Sequence, residues 1–264
     1  MLDFDDIDNW APDLANALRR YVPEPIALKV AAAAPVYVED ARDLLLNLAD
    51  REAIIDATLS WIRSTKVVGY HGSRLVNSDI ASIRRDGLVP LNAESRRGRL
   101  TRVLSRHARW HAVKHQLDAV IESHGEGGAA GSREGQMHLT LSRAGLTEDF
   151  NHYLTHGSEF DQRVASALLD SEGEELLAQD GESTLVQVAV PGSLALAAAH
   201  PYLGIDDLRA QGSVPNLVTE FLNSWSYRLA HPGFQCRSLE IDCGMVFHKT
   251  VPTAWILSVD KWGP

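Results

Sequence analysis

Residues 67–75 read Val-Val-Gly-Tyr-His-Gly-Ser-Arg-Leu, and Asp79-Ile80 and Arg85-Asp86-Gly87-Leu88 follow. The paired β-branched residues predict a strand. His71 and Gly72 fall at its expected end, and a short apolar-periodic helix through Ile80 and Ile83 follows until Gly87 stops it. A polar ring beside a glycine at a strand end lets a flat, polar ligand approach the backbone.

Outward from this stretch, strands are predicted at 136–142, 184–190, 236–241, 245–248 and 255–259, and helices at 158–170, with Ser158 as cap, and at 215–230. Residues 100–123 also carry a helical pattern. Residues 13–21 and 39–63 are helical as well, the second through Ala41, Leu44, Leu45, Leu48, Ile54, Ile55 and Leu59. Unevenly spaced strands and helices indicate an α+β protein. Residues 1–65 read as a mostly helical N-terminal segment and residues 66–264 as the domain that carries the site. The Gly-rich stretch 124–135 follows a helix and opens a strand, the reverse of a dinucleotide fingerprint, so a Rossmann reading is rejected.

At 264 residues, with 45% hydrophobic and 23% charged residues, the chain has the composition of a globular domain. No apolar run approaches the roughly 18–20 residues that span a bilayer, so no membrane partner is expected. The acidic start, Met-Leu-Asp-Phe-Asp-Asp-Ile-Asp, has the wrong sign for a signal peptide, and a cytoplasmic location is the expectation. A formal charge of −10 argues against general affinity for nucleic acid. Against that average, residues 84–109 hold eight arginines and only Asp86 and Glu94. Such a strip is either a solvated helix face or a surface for a phosphate-bearing ligand or an acidic partner. Cys236 and Cys243, held on one strand, would stand about 23 Å apart, beyond disulfide reach. They read as reduced core residues.

The pattern Tyr-His-Gly-Ser-Arg, then Ile80, then Gly87-Leu88, resembles the first motif of the ADP-ribosyltransferase superfamily, as in the poly(ADP-ribose) polymerases and diphtheria toxin. The resemblance extends over roughly residues 67–260. It implies two packed, mostly antiparallel sheets with NAD as substrate in the cleft between them, following the helical N-terminal extension. It also implies that His71 and the backbone of Gly72, with Ser73 alongside, hold the nicotinamide ribose and amide. Arg74 would face the pyrophosphate, as would Arg96 or Arg97. The family's next core strand carries a tyrosine that stacks on nicotinamide. In the strand Met137-His138-Leu139-Thr140, His138 stands in that place with Thr140 behind it, although a solvent-facing strand histidine reads the same way. Tyr153 would complete the slot. Glu159, one place after Ser158, sits where a carboxylate favours the helix dipole.

The resemblance also requires a carboxylate on a late strand, to orient the ribose and stabilise the positive charge that builds on it as the glycosidic bond breaks. Glu240 is the first choice, Asp242 the alternative on the same face, and Glu220 a weaker candidate within a helical pattern. The implied activity is transfer of ADP-ribose from NAD to a macromolecular acceptor, protein or nucleic acid, or to water. Two rival readings remain: an inactive nucleotide- or protein-binding module of the same fold, favoured by the missing tyrosine, and an interaction domain whose arginine strip binds an acidic partner. An RNA 2′-phosphotransferase shares the broader fold, but the arginine and histidine motifs of that branch are not evident. His107, His111 and His115 recur every four residues and would share a helix face, yet no metalloprotease glutamate accompanies them. Neither a Gly-x-Ser-x-Gly elbow nor a phosphate-binding P-loop occurs.

Overall fold

A computed structural model describes residues 1–124, 135–149, 151–239 and 243–263. The first half of the chain runs α1 (Ile7–Leu18), α2 (Glu24–Ala33), α3 (Val38–Leu48), α4 (Arg51–Arg63), β1 (Lys66–Leu75), α5 (Asn77–Asp86), α6 (Ala93–Leu104), α7 (Trp110–Val113) and α8 (Leu117–His124). Then come β2 (Met137–Thr140), α9 (His152–His156), α10 (Glu159–Leu169), α11 (Ser171–Ala178) and β3 (Glu182–Pro191). The chain continues with α12 (Gly192–Ala198), α13 (Ile205–Ala210), α14 (Asn216–Ala230), β4 (Gly244–Phe247) and β5 (Ile256–Lys261). The protein is therefore α+β, and the described strands form one five-stranded sheet in the order β4-β2-β1-β3-β5. β3 and β5 are antiparallel, from Thr184 opposite Lys261 to Val188 opposite Ile256, with an irregularity between Gln187 and Val188. Among the described residues no helix is long and apolar enough to cross a membrane.

The chain groups into two compact units. The first takes in Met1–Gly69, Thr140–Gly145 and Ala189–Met245. Its centre is aromatic. Phe221 of α14 meets the ring of Trp10 edge-on at 5.0 Å and that of Trp61 at 5.2 Å, while Phe4 packs on Phe221 at 5.6 Å. The Trp10 indole N–H donates to the Phe4 carbonyl at 3.2 Å, so the polar edge of a buried ring is satisfied. The stretch predicted as helical over 39–63 is two helices, because the Asp50 side chain accepts from the Ala53 N–H and starts α4 afresh.

The second unit takes in Tyr70–Leu139, Leu146–Val188 and Val246–Pro264. Leu100, Val103 and Leu104 of α6 pack with Ile121 of α8 and with Phe160, Val164 and Leu168 of α10. Gly87 ends α5 at φ +89°, a left-handed conformation that suits glycine.

Three expectations are corrected. The strand predicted at 236–241 is absent where described: Cys236–Ser238 form a 3₁₀ turn closed by the Leu239 N–H on the Cys236 carbonyl at 2.8 Å. Cys236 is buried although it lies in no strand. Both cysteines are buried thiols rather than a disulfide, and burial pushes the Cys236 thiol up to about 12. The helix over 100–123 is broken after Leu104 and again by a 3₁₀ turn at Lys114–Gln116, so His107 lies off the helices and pairs with Glu172 at 3.0 Å. The three histidines therefore do not share a helix face. Of the Gly-rich stretch, residues 125–134 lie outside the described residues.

Candidate functional site

The second unit contains a pocket of about 370 Å³ lined by β1, β2, the α5–α6 segment and the turn into α10. That volume falls in the ~300–1,000 Å³ range of small-molecule sites. β1 does not end at His71, as the sequence pattern predicts, but continues to Leu75 and holds His71, Gly72 and Ser73 in regular strand geometry. A β-carbon on Gly72 would lie 3.2 Å from Leu154 Cδ2 and 3.3 Å from Leu146 Cδ2, so glycine lets these leucines close against the strand.

His71 Nδ1 lies 2.9 Å from the His138 carbonyl. A carbonyl only accepts, so Nδ1 carries the proton. Burial lowers the His71 pKa below the ordinary 6.5, with the neighbouring Arg96 charge adding to that shift. The ring is then neutral at pH 7 and presents Nε2 as an acceptor, suited to a ligand hydroxyl or amide N–H. The sign for stability follows directly. The unfolded chain binds a proton near 6.5 while the folded chain does not, so this histidine's contribution is present above that value and is lost as pH falls below it. An NMR titration of the His71 imidazole should give a midpoint under 6.5; a midpoint at or above it would overturn the neutral assignment.

His138 also lines the pocket, and its Nε2 donates to the Gln136 side-chain oxygen at 3.0 Å. Tyr153 lines it from α9 and donates its hydroxyl to Glu159 Oε1 at 2.6 Å. Glu159 follows the cap Ser158, whose Oγ accepts from the Asp161 N–H at 3.2 Å. The sequence marks Glu159 only as a dipole-favoured position; the pocket wall it forms depends on the chain path and leaves no local signature. Asp79 lines the pocket too and accepts from the Val76 N–H at 3.2 Å.

His71, Gly72, Ser73, His138 and Tyr153 are thus brought together. Arg74 does not line the pocket: its guanidinium donates to the Gly181 carbonyl at 2.5 Å and to Ser183 Oγ at 3.3 Å, tying β1 to the start of β3. Thr140 is absent from the lining as well, and its hydroxyl donates to the Ser142 carbonyl at 2.6 Å. Arg96 does line the pocket, but its Nε donates to Asp161 Oδ1 at 2.8 Å. Burial, then repulsion from Arg99, lowers its pKa to about 9, so it stays charged at neutral pH. Arg97 pairs with Asp118 at 2.8 Å on the surface. Glu220 sits on α14 with its pKa raised by burial and is not part of the lining. Glu240 and Asp242 lie outside the described residues.

No family model matches the chain, and no curated protein or solved structure matches it.

Proposed function

We propose that the protein is an NAD-dependent ADP-ribosyltransferase of the cytoplasm, cleaving the nicotinamide glycosidic bond and passing ADP-ribose to a macromolecular acceptor or to water. The reading carries with it the paired-sheet architecture of that superfamily. The observation that supports it is the convergence of the motif residues His71 and Gly72 with two further rings, His138 and Tyr153, in one pocket of the second unit. Flat rings with hydrogen-bonding edges suit an aromatic amide, and the neutral His71 Nε2 suits a ribose hydroxyl. Carboxylate stabilisation of the oxocarbenium-like transition state falls to Glu240 by the motif order, with Glu159 as the carboxylate that lines the pocket.

Calorimetric titration with NAD, with nicotinamide release followed in the same samples, tests this. Wild type should bind and release nicotinamide, and His71→Ala should weaken binding by at least ~10-fold, about 1.4 kcal/mol, through loss of a buried hydrogen bond. No binding by wild type at millimolar NAD would sink the proposal. Binding with no release would favour an inactive nucleotide-binding module, the reading suggested by a histidine at position 138.

A further inference from the structure

Beside the ring-lined pocket, the second unit carries an open polar cleft of about 470 Å³, bordered by His124, His152, Gln162, Ser166 and Glu174. Among the described residues Glu159 alone lines both cavities. Its carboxylate is held on the shared wall: Oε1 accepts from the Tyr153 hydroxyl at 2.6 Å and lies 3.8 Å from His152 Nε2, and Oε2 lies 3.8 Å from Arg163 on the next turn of α10. The His152 and Tyr153 rings are tilted against each other at 4.2 Å, one lining the cleft and the other the pocket. The backbone beneath Glu159 is fixed by the Ser158 cap and by the burial of Asp161, which has no exposed surface.

Resting on the transferase reading above, we propose that Glu159 is the catalytic base for the second reactant, a hydroxyl group or water that enters along the polar cleft while NAD occupies the ring-lined pocket. The C1′–N bond to nicotinamide breaks with its electron pair passing to the ring nitrogen. The acceptor oxygen forms the new bond to C1′, and its proton passes to the Glu159 carboxylate and from there to solvent. A carboxylate between two cavities can meet the acceptor on one side and the reacting carbon on the other, which a residue inside the pocket alone does not do.

The test uses the full chain, NAD and methanol as a probe nucleophile, with nicotinamide and methyl ADP-ribose both quantified. Glu159→Gln should bind NAD within about 3-fold of wild type yet release nicotinamide ~100-fold more slowly, the usual scale for loss of a general base. Ala167 also lines the cleft, and Ala167→Trp, which narrows it, should lower methyl ADP-ribose formation at unchanged NAD affinity. Should Glu159→Gln fail to fold, Glu159→Asp keeps the charge on a shorter arm, and its turnover should fall at least ~10-fold. Turnover at the wild-type rate in Glu159→Gln or Glu159→Asp, or loss of NAD binding in a folded Glu159→Gln, overturns this proposal while the transferase reading stands. Wild type that neither binds nor cleaves NAD overturns both.

Discussion

Asp161→Ala is expected to destabilise the second unit by about 3–5 kcal/mol, the scale for breaking a buried ion pair by removing one partner. Asp161 has no exposed surface, and it faces two arginines: Arg96, hydrogen-bonded through Nε at 2.8 Å, and Arg99, with Nη1 at 3.4 Å. Arg99 is itself only 7% exposed, and among the described residues none of its N–H groups makes a hydrogen bond, so its charge is balanced by the carboxylates of Asp161 and, at 3.6 Å, Asp180. Deleting Asp161 leaves a buried Arg99 and a partly buried Arg96 with one fewer counter-charge. Asp161→Asn, which preserves shape but not charge, should behave nearly as badly. Urea unfolding checks both, and a loss under ~1 kcal/mol would show that solvent reaches the cluster. Removing Arg96 as well should cost less than the sum of the two single changes, since each partner is harmful chiefly when stranded.

Gly192→Ala is expected to cost about 3 kcal/mol, at the upper end for overpacking. A β-carbon there would lie 1.8 Å from the Ile62 carbonyl oxygen, 2.7 Å from its carbon and 3.0 Å from the Thr65 oxygen. All three are backbone atoms at the end of α4, and the Gly192 N–H donates to that same Thr65 oxygen at 2.8 Å. No side chain can swing aside, so α12 would have to retreat and lose that bond. Gly98→Ala supplies the opposite sign. It lies inside α6 with nothing within 4 Å of the added carbon, and should stabilise by ~0.5–1 kcal/mol through helix propensity and a less floppy unfolded chain. A melting series in which both glycines behave alike would refute the packing argument.

Local chemistry was the legible part of this chain. Gly87 as a stop, Ser158 as a cap, and the helix over 216–230 each rest on residues within a few positions of one another. The arginine-rich strip was not legible in the same way. Neither alternative, a solvated face or a ligand surface, describes Arg99, whose counter-charges Asp161 and Asp180 stand more than sixty positions further along. Arg109 likewise finds Glu172 at 2.6 Å. Arg74 reads as a ligand contact by adjacency to the histidine motif, yet its guanidinium meets the carbonyl of Gly181, a pairing that no spacing rule encodes. His71, His138 and Tyr153, singled out along the sequence, line one pocket; the carboxylate beside them was not legible, because Glu159 reaches the wall through the fold of α9 into α10.

One helical turn, residues 158–161, serves two masters. Ser158 closes the helix start, Glu159 stands on the cavity wall, and Asp161 is sunk among arginines. Adaptation at this place is therefore constrained in both directions. A lineage cannot drift toward a looser interior here without blurring the aim of the carboxylate two positions earlier, nor re-aim the carboxylate by shifting the helix without exposing the arginines. Change is more easily accommodated on the cleft rim of the later turns, at Gln162, Arg163 and Ser166, where side chains can vary while the turn itself stays put.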